Sequence, residues 1–507
     1  MDNFFGRKSE LKDLQTIWDS TESEFVFVRG RRRIGKSELL REFVRRRLES
    51  PSRAFMFTGR VDEADAACRE RWAQSWDLMF PSSKLYELRR DYLTWDRIFS
   101  EIAKVSTEHF KSDTNQFLIV IDEVQWLAKK QSGVLGALKE FWEQGQKSSR
   151  LKVFLSGSSN RFFSAEVDHA DGVLRGLRTK GDLWITPFTL GEVHHYYFSK
   201  WSEEQVALLY MMVGGVPYYL ERFDGNESFI HSVNASVFTP ASIFLDEIDA
   251  VLKLEVTGEG ALDNVKNVLG SLGQDGRDEK GIADVTGISV ANVHSILGRL
   301  QSYGLIQKRV PFGVQKKNNS GIRYFADDFF INFYFQIISP NAAKIRGNKT
   351  NGLLFKQVIA SQSGYYIPNF SGKAFELLIY NLLRAAAGDT SKRTCRLFQR
   401  LKLYDSGYNV GTYWQSQKIQ IDIVVSSTED REVRIIEAKW KSSSLTSAEA
   451  KNFVETLVKK EIPVPRTDWQ VRRFLAISCE SDKSLQKLAN QNDVAIVQLS
   501  DLFEKTI

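Results

Sequence analysis

The chain has 507 residues, a net charge of +6 and an ordinary globular composition, 42% hydrophobic and 26% charged. At roughly 150 residues per domain that length leads one to expect three or four domains, each with enough core to need no disulfide or metal staple. The cysteines, Cys68, Cys395 and Cys479, are too scattered for a disulfide framework or a paired-cysteine metal site. No apolar run approaches the roughly 18 residues of a membrane helix, and the opening MDNFFGRKSEL lacks a signal-peptide layout. The expectation is a cytoplasmic protein with no membrane partner.

The first part of the chain alternates apolar strands with helical segments, the pattern of a parallel α/β sheet. FVFVRG at 25–30 reads as a buried strand and leads into Gly30-Arg31-Arg32-Arg33-Ile34-Gly35-Lys36-Ser37, followed by a helix that continues through Glu38. This fits G-x-x-x-x-G-K-[ST], a phosphate-binding loop. The glycines let the backbone N–H groups curl around phosphate oxygens, and the helix N-terminus adds a positive dipole end. Lys36 is expected to reach the β- and γ-phosphates of ATP, and Ser37 to ligate Mg²⁺.

FLIVIDE at 117–123 reads as a second buried strand ending in Asp122 and Glu123. Asp122 is expected to hold Mg²⁺, and Glu123 to orient the attacking water. LKVFLSG at 151–157 reads as a third strand. Its polar end offers Ser156, Ser158, Ser159 and Asn160 as sensors of the γ-phosphate, with Ser158 and Asn160 favoured.

Residues from about 190 to 255 read as mostly helical. From 256 to 335 the pattern is helices followed by a short β-ribbon. Ser289 is placed to cap a helix whose apolar face is Val290, Val293, Ile296, Leu297 and Leu300. Leu305–Val310 and Gly321–Phe325 are expected to pair as a wing with a basic tip at Lys316 and Lys317. Such a helix-turn-helix fits a DNA major groove or a protein surface. Ser339 to Gly352 has the Pro, Gly and Asn content of a linker.

Beyond it, Glu376 stands in the first turns of an apolar helix opening at Gly372. Asp422 interrupts the strand IQIDIVV, and Glu437 and Lys439 lie two apart, on one face, in a second strand. A short turn between these strands brings Asp422 near Glu437. The arrangement resembles the PD-(D/E)XK nuclease core, in which carboxylates hold Mg²⁺ at a phosphodiester while a lysine positions the water.

On these residues, together with Phe5-Gly6-Arg7, Glu10 and the Gly214-Gly215-Val216-Pro217-Tyr218-Tyr219-Leu220 element, the chain resembles the archaeal-type ATPases of the AAA+/STAND branch. The resemblance implies an α/β multidomain protein. It would hold a P-loop core with a parallel sheet (1–190), a helical lid (191–255), a winged helix (256–335), a linker (336–370) and a restriction-endonuclease-like α/β domain (371–507). It implies that Phe5, Gly6 and Arg7 pack near the adenine and that the turn before Pro217 brings the lid over the nucleotide. Leu177 stands where the family has an arginine, which leaves Arg175 or Arg178 as the transition-state cation. Two functions fit. One is an ATPase that acts on DNA through a Mg²⁺-dependent nuclease-like domain, in one form of which the ATPase restrains a toxin-like nuclease. The other is a nucleotide-dependent switch whose winged helix docks a protein or a second copy of the chain.

Overall fold

The computed structural model describes residues 4–47, 54–87, 92–109, 116–128, 132–145, 150–253, 261–313, 321–347, 367, 370–403, 407–415, 419–441 and 444–504. They form two compact units, Met1–Pro187 and Phe188–Ile507. No helix among the described residues is long and apolar enough to cross a membrane.

The first unit is built on a sheet of β1 (Glu24–Arg29), β2 (Ala54–Thr58), β3 (Gln116–Asp122), β4 (Arg150–Gly157) and β5 (Leu183–Trp184). All its pairings are parallel, in the order β2-β3-β4-β1-β5. The strands read as unbroken apolar runs because both faces are covered, and every residue of β1 is buried. One face packs on Trp72 and Trp76, one helical turn apart and fully buried. Their rings lie 4.4 Å from Phe57 and 5.0 Å from Phe55, centroid to centroid. Order matters more than packing here. Because β4 separates β1 from β3, the ends of these strands leave a crevice between the loop after β1 and the acids after β3. The expected second strand lies one residue earlier than FLIVIDE suggests, from Gln116 to Asp122. Glu123 lies outside β3 in the left-handed region, φ 51°, which turns it off the strand direction.

The second unit opens with helices Leu190–Tyr196 and Glu203–Val213, each started by a reciprocal capping box, Thr189 with Glu192 and Ser202 with Gln205. The Glu203–Val213 helix stops at Gly214, φ 68°, and Gly215 follows under the chain at Phe188. A Cβ on Gly215 would lie 1.9 Å from the Phe188 carbonyl oxygen, and the Phe188 N–H donates to the Gly215 carbonyl at 2.8 Å. Pro217 then occupies the first turn of Pro217–Leu220, and the buried Tyr219 hydroxyl donates to Glu247 at 2.8 Å.

Helices Ala261–Ser271, Glu279–Thr286 and Val290–Ser302 come next. Ser289 caps the third by accepting from the Asn292 N–H, and Val293, Ile296, Leu297 and Leu300 are buried as expected. Val290 is not: it shares their face but stands in the helix's first turn and is 48% exposed. Strands β6 (Ile306–Arg309) and β7 (Arg323–Ala326) pair antiparallel, Gln307 opposite Phe325 and Arg309 opposite Arg323. Lys316 and Lys317 lie outside the described residues. The start of the expected linker is helical instead. Ser339–Arg346 forms two turns, with proline at the entry, where its missing N–H costs nothing, and with Ile345 buried.

The helix Ser371–Ala385 leads into a second sheet of β8 (Asn409–Gln415), β9 (Ile419–Ser427), β10 (Glu432–Lys439), β11 (Gln470–Ile477) and β12 (Val494–Gln498). The order is β12-β11-β10-β9-β8. β8, β9 and β10 run antiparallel, and β10, β11 and β12 parallel. The β9–β10 turn is tighter than the sequence suggests, because β9 runs on to Ser427. Gly215→Ala is expected to destabilise this unit by roughly 2 kcal/mol or more, read as a lower urea midpoint, with Gly214→Ala also destabilising, through its backbone at φ 68° rather than through a clash.

Candidate functional sites

In the first unit the loop after β1 takes its shape from left-handed backbone turns and from a close approach to the chain at Ile185 that only glycine permits. Gly35 has φ 91° and Arg33 φ 69°, and a Cβ on Gly30 would meet the Ile185 carbonyl at 2.6 Å. Ile34 is fully buried beneath the loop. Arg7 fixes the loop from outside. Its guanidinium donates to the Ile34 carbonyl at 2.9 Å, to the Thr186 carbonyl at 2.7 Å and to Glu10 at 2.8 Å. In the structure Arg7 is thus a brace of the phosphate loop, next to Gly6 at φ 62° and an exposed Phe5. Glu38 pairs with Arg41 on the outer surface of the helix.

Lys36 folds back onto the loop, donating to the carbonyls of Gly30 at 2.9 Å and Arg31 at 3.0 Å. It is 4% exposed, and burial pushes its ammonium down to about 8, against the pull of Glu123 and Asp122. The Ser37 hydroxyl donates to Asp122 Oδ2 at 2.6 Å. The other Asp122 oxygen is buried with no hydrogen-bond partner. A carboxylate oxygen left bare beside a serine hydroxyl is what a hard cation would complete, so these two residues fit Mg²⁺.

Glu123 is held from β4. Ser158 donates to its Oε2 at 3.0 Å, and Gln125 donates to Ser158 at 3.3 Å and to Glu123 as well. Of the four sensor candidates, Ser158 makes this contact. Ser159 caps the short helix Asn160–Phe163, and Ser156 is buried with an unpartnered hydroxyl. Gln125 escaped the sequence reading, although its place two residues after Glu123 was a signal. Arg178 is engaged elsewhere, with Asp182 at 2.7 Å and Asp168 at 3.4 Å. The same two acids bind Arg29, whose guanidinium holds Asp168 below the usual carboxylate range. Leu177 is a core residue.

In the second unit the β9–β10 register pairs Ile436 with Ile423. Carried one residue on, it sets Glu437 opposite Asp422, on one face with Lys439. Lys439 Nζ lies 3.2 Å from Glu437 and 3.5 Å from Asp422. Asp422 also accepts the Ala438 N–H at 3.0 Å. Both carboxylates are 7% exposed. Like charges facing across strands repel, and two lysines offset this, Lys439 and Lys460, which reaches Glu437 from beyond the helix Ser447–Val458. Burial, and then Asp422, raise the Glu437 carboxyl. Glu376 is raised to about 8 by burial and by Asp422. It is paired with Lys373 at 3.0 Å. Lys373 could have been read from its i, i+3 spacing to Glu376; nothing near Asp422 or Glu437 in sequence points to Lys460. Among the described residues no three Asp, Glu, His or Cys side chains gather as a metal cage.

The parallel sheet, the phosphate loop after β1 and the acid ending β3 define a nucleotide-binding ATPase domain. Residues 4–223 match the family described as an ATPase domain predominantly from Archaea, and residues 334–453 match one described as archaeal bacterial proteins of unknown function. An uncharacterized protein of Methanocaldococcus jannaschii is 24% identical over 467 residues, covering 92% of this chain and 94% of that protein. Among solved structures, a Walker-type ATPase of Pyrococcus abyssi is 18% identical, covering 66% of this chain and 96% of its own, with a TM-score of 0.49. Drosophila ORC bound to DNA is 12% identical, covering 65% and 86%, with a TM-score of 0.31. The chain thus carries an archaeal-type ATPase domain joined to a second family's C-terminal region.

The low Lys36 value gives a pH prediction. Phosphate binding needs the ammonium, which the free protein keeps only below about pH 8. ATP affinity is expected to be level below that pH and to fall up to about tenfold per unit above it. Titration calorimetry from pH 7 to 9.5 checks this. Lys36→Arg, charged throughout, should show no break; a break that persists in this variant would contradict the assignment.

Proposed function

We propose that the chain binds and hydrolyses ATP and acts on DNA, through a winged helix at 256–335 and a Mg²⁺-dependent nuclease-like domain at 371–507. The observation that carries the DNA half is the meeting of Asp422, Glu437 and Lys439 on adjacent strands of a mixed sheet. Two carboxylates bridged by a lysine, with Glu376 nearby on the first helix, is a grouping that costs stability and has no packing purpose.

In the ATPase site Ser37 and Asp122 would hold Mg²⁺, which neutralises charge on the β- and γ-phosphates. Lys36 leaves the loop carbonyls for the phosphate oxygens. Glu123, steadied by Ser158, accepts a hydrogen bond from the attacking water and aligns it. In the second site Asp422 and Glu437 would hold Mg²⁺, which polarises a phosphodiester, and Lys439 positions the water.

One observation favours a second reading, the protein-docking switch. The ribbon is not free: the Phe312 N–H donates to the Thr412 carbonyl at 2.9 Å, and Trp414 Nε1 donates to the Gly321 carbonyl at 3.1 Å. A wing held against β8 suits internal signalling as well as groove binding.

The readings separate by assay. Lys36→Ala is expected to lose ATP turnover by about 100-fold or more while keeping Mg²⁺-dependent cleavage of plasmid or single-stranded DNA. Lys439→Ala is expected to do the reverse. No cleavage of any DNA form, with DNA affinity unchanged in Lys439→Ala, would leave the switch as the function.

A further inference from the structure

Where the ribbon meets the C-terminal sheet, the second unit encloses a cavity of about 60 Å³. That is room for a phosphate group or a few waters and too little for a base. Arg309 and Phe325 of the ribbon form one wall, Lys373 and Tyr380 of the Ser371–Ala385 helix another, and Trp414 and Asp422 of the sheet a third. The cavity therefore opens onto the carboxylate site.

Arg309 is the residue without an explanation. Its guanidinium lies between two rings, 3.9 Å from the Tyr380 centroid and 4.4 Å from that of Phe325. Its Nε donates to Gln307 at 2.9 Å. Its Nη2 is buried with no hydrogen-bond partner, and it makes no ion pair among the described residues. Lys373, by contrast, is neutralised by Glu376 and by Asp275 at 3.2 Å. A buried cationic N–H without an acceptor is costly. A planar fork stacked between rings is also well suited to an oxyanion, since its in-plane donors are aimed and its faces are already covered.

We propose that this cavity seats a phosphate of a single nucleic-acid strand, with Arg309 as its binding residue, so that the ribbon supplies part of the carboxylate site. The inference rests on the nuclease-like reading of Asp422 and Glu437. Lys439 and Lys460 are already engaged with those acids; Arg309, like Arg323 on the same ribbon, brings to the cavity a guanidinium that no acid pairs within bonding distance among the described residues.

The test is fluorescence anisotropy of the full chain with a 5′-labelled single-stranded DNA of about twelve nucleotides, in EDTA and without ATP, at several NaCl concentrations. Arg309→Gln is expected to weaken binding about tenfold and to lower the salt slope by about 0.7, the value of one lost single-strand phosphate contact. Arg309→Lys, which keeps the charge, should keep the slope and lose about threefold in affinity. If Arg309→Gln does not melt cooperatively, Arg309→Lys decides. Unchanged affinity in either folded variant, while wild type binds, overturns this inference alone. Duplex of the same length bound as tightly and unaffected by Arg309→Gln also overturns it. Wild type that binds no DNA overturns it together with the DNA half of the proposed function.

Discussion

The hydrogen bond from Ser37 to Asp122, at 2.6 Å, is the contact on which the nucleotide site depends. Asp122 ends β3 and Ser37 opens the helix that follows β1, and these two strands are not neighbours. The bond forms because β4 sits between β1 and β3 and because parallel strands all deliver their ends to one edge. Everything else at the site is arranged around it. Arg7 stops the loop from opening, Ile34 anchors it from below, and Lys36 waits on loop carbonyls that a phosphate can replace. The unpaired Asp122 oxygen leaves one position of the arrangement without a protein donor.

The two carboxylate sites follow opposite strategies. In the ATPase domain the acids stand at the end of a strand, and Glu123 is held by neutral donors, Ser158 and Gln125. In the C-terminal sheet they lie within the strands, face each other and are held by ammonium groups. Neutral donors let a carboxylate reorient at small cost, whereas a buried lysine bridge is hard to break once formed. The first site is built to change partners, the second to hold its acids close together.

The ATPase half of the fold was legible because its signals are local. Five consecutive apolar residues, Phe117 to Ile121, a glycine-spaced loop and two terminal acids each constrain their own stretch of chain, and one known sheet order connects them. The β9–β10 pair was legible for the same reason, a short turn and a period of two. What escaped depends on distant partners. Lys460 reaches Glu437 from far along the chain. Arg178 was a candidate for the nucleotide site, but only the fold shows that Asp168 and Asp182 engage it. Val290 matched the helical period, yet sits at a first turn that nothing covers. The helix at Ser339–Arg346 was hidden by Pro340 and Asn341, which read as loop residues anywhere except at a helix start.

The docked ribbon has a further consequence for how the chain is made. β8 is an edge strand of the second sheet, and an uncovered edge is a template for pairing with other chains. Pro311 bridges Thr412 beside the Phe312 hydrogen bond, so part of that edge is occupied by residues about a hundred positions earlier in the sequence. On the ribosome the cover emerges before the strand it protects. β8 can be capped as it appears, at the stage when a half-built sheet is most prone to aggregate.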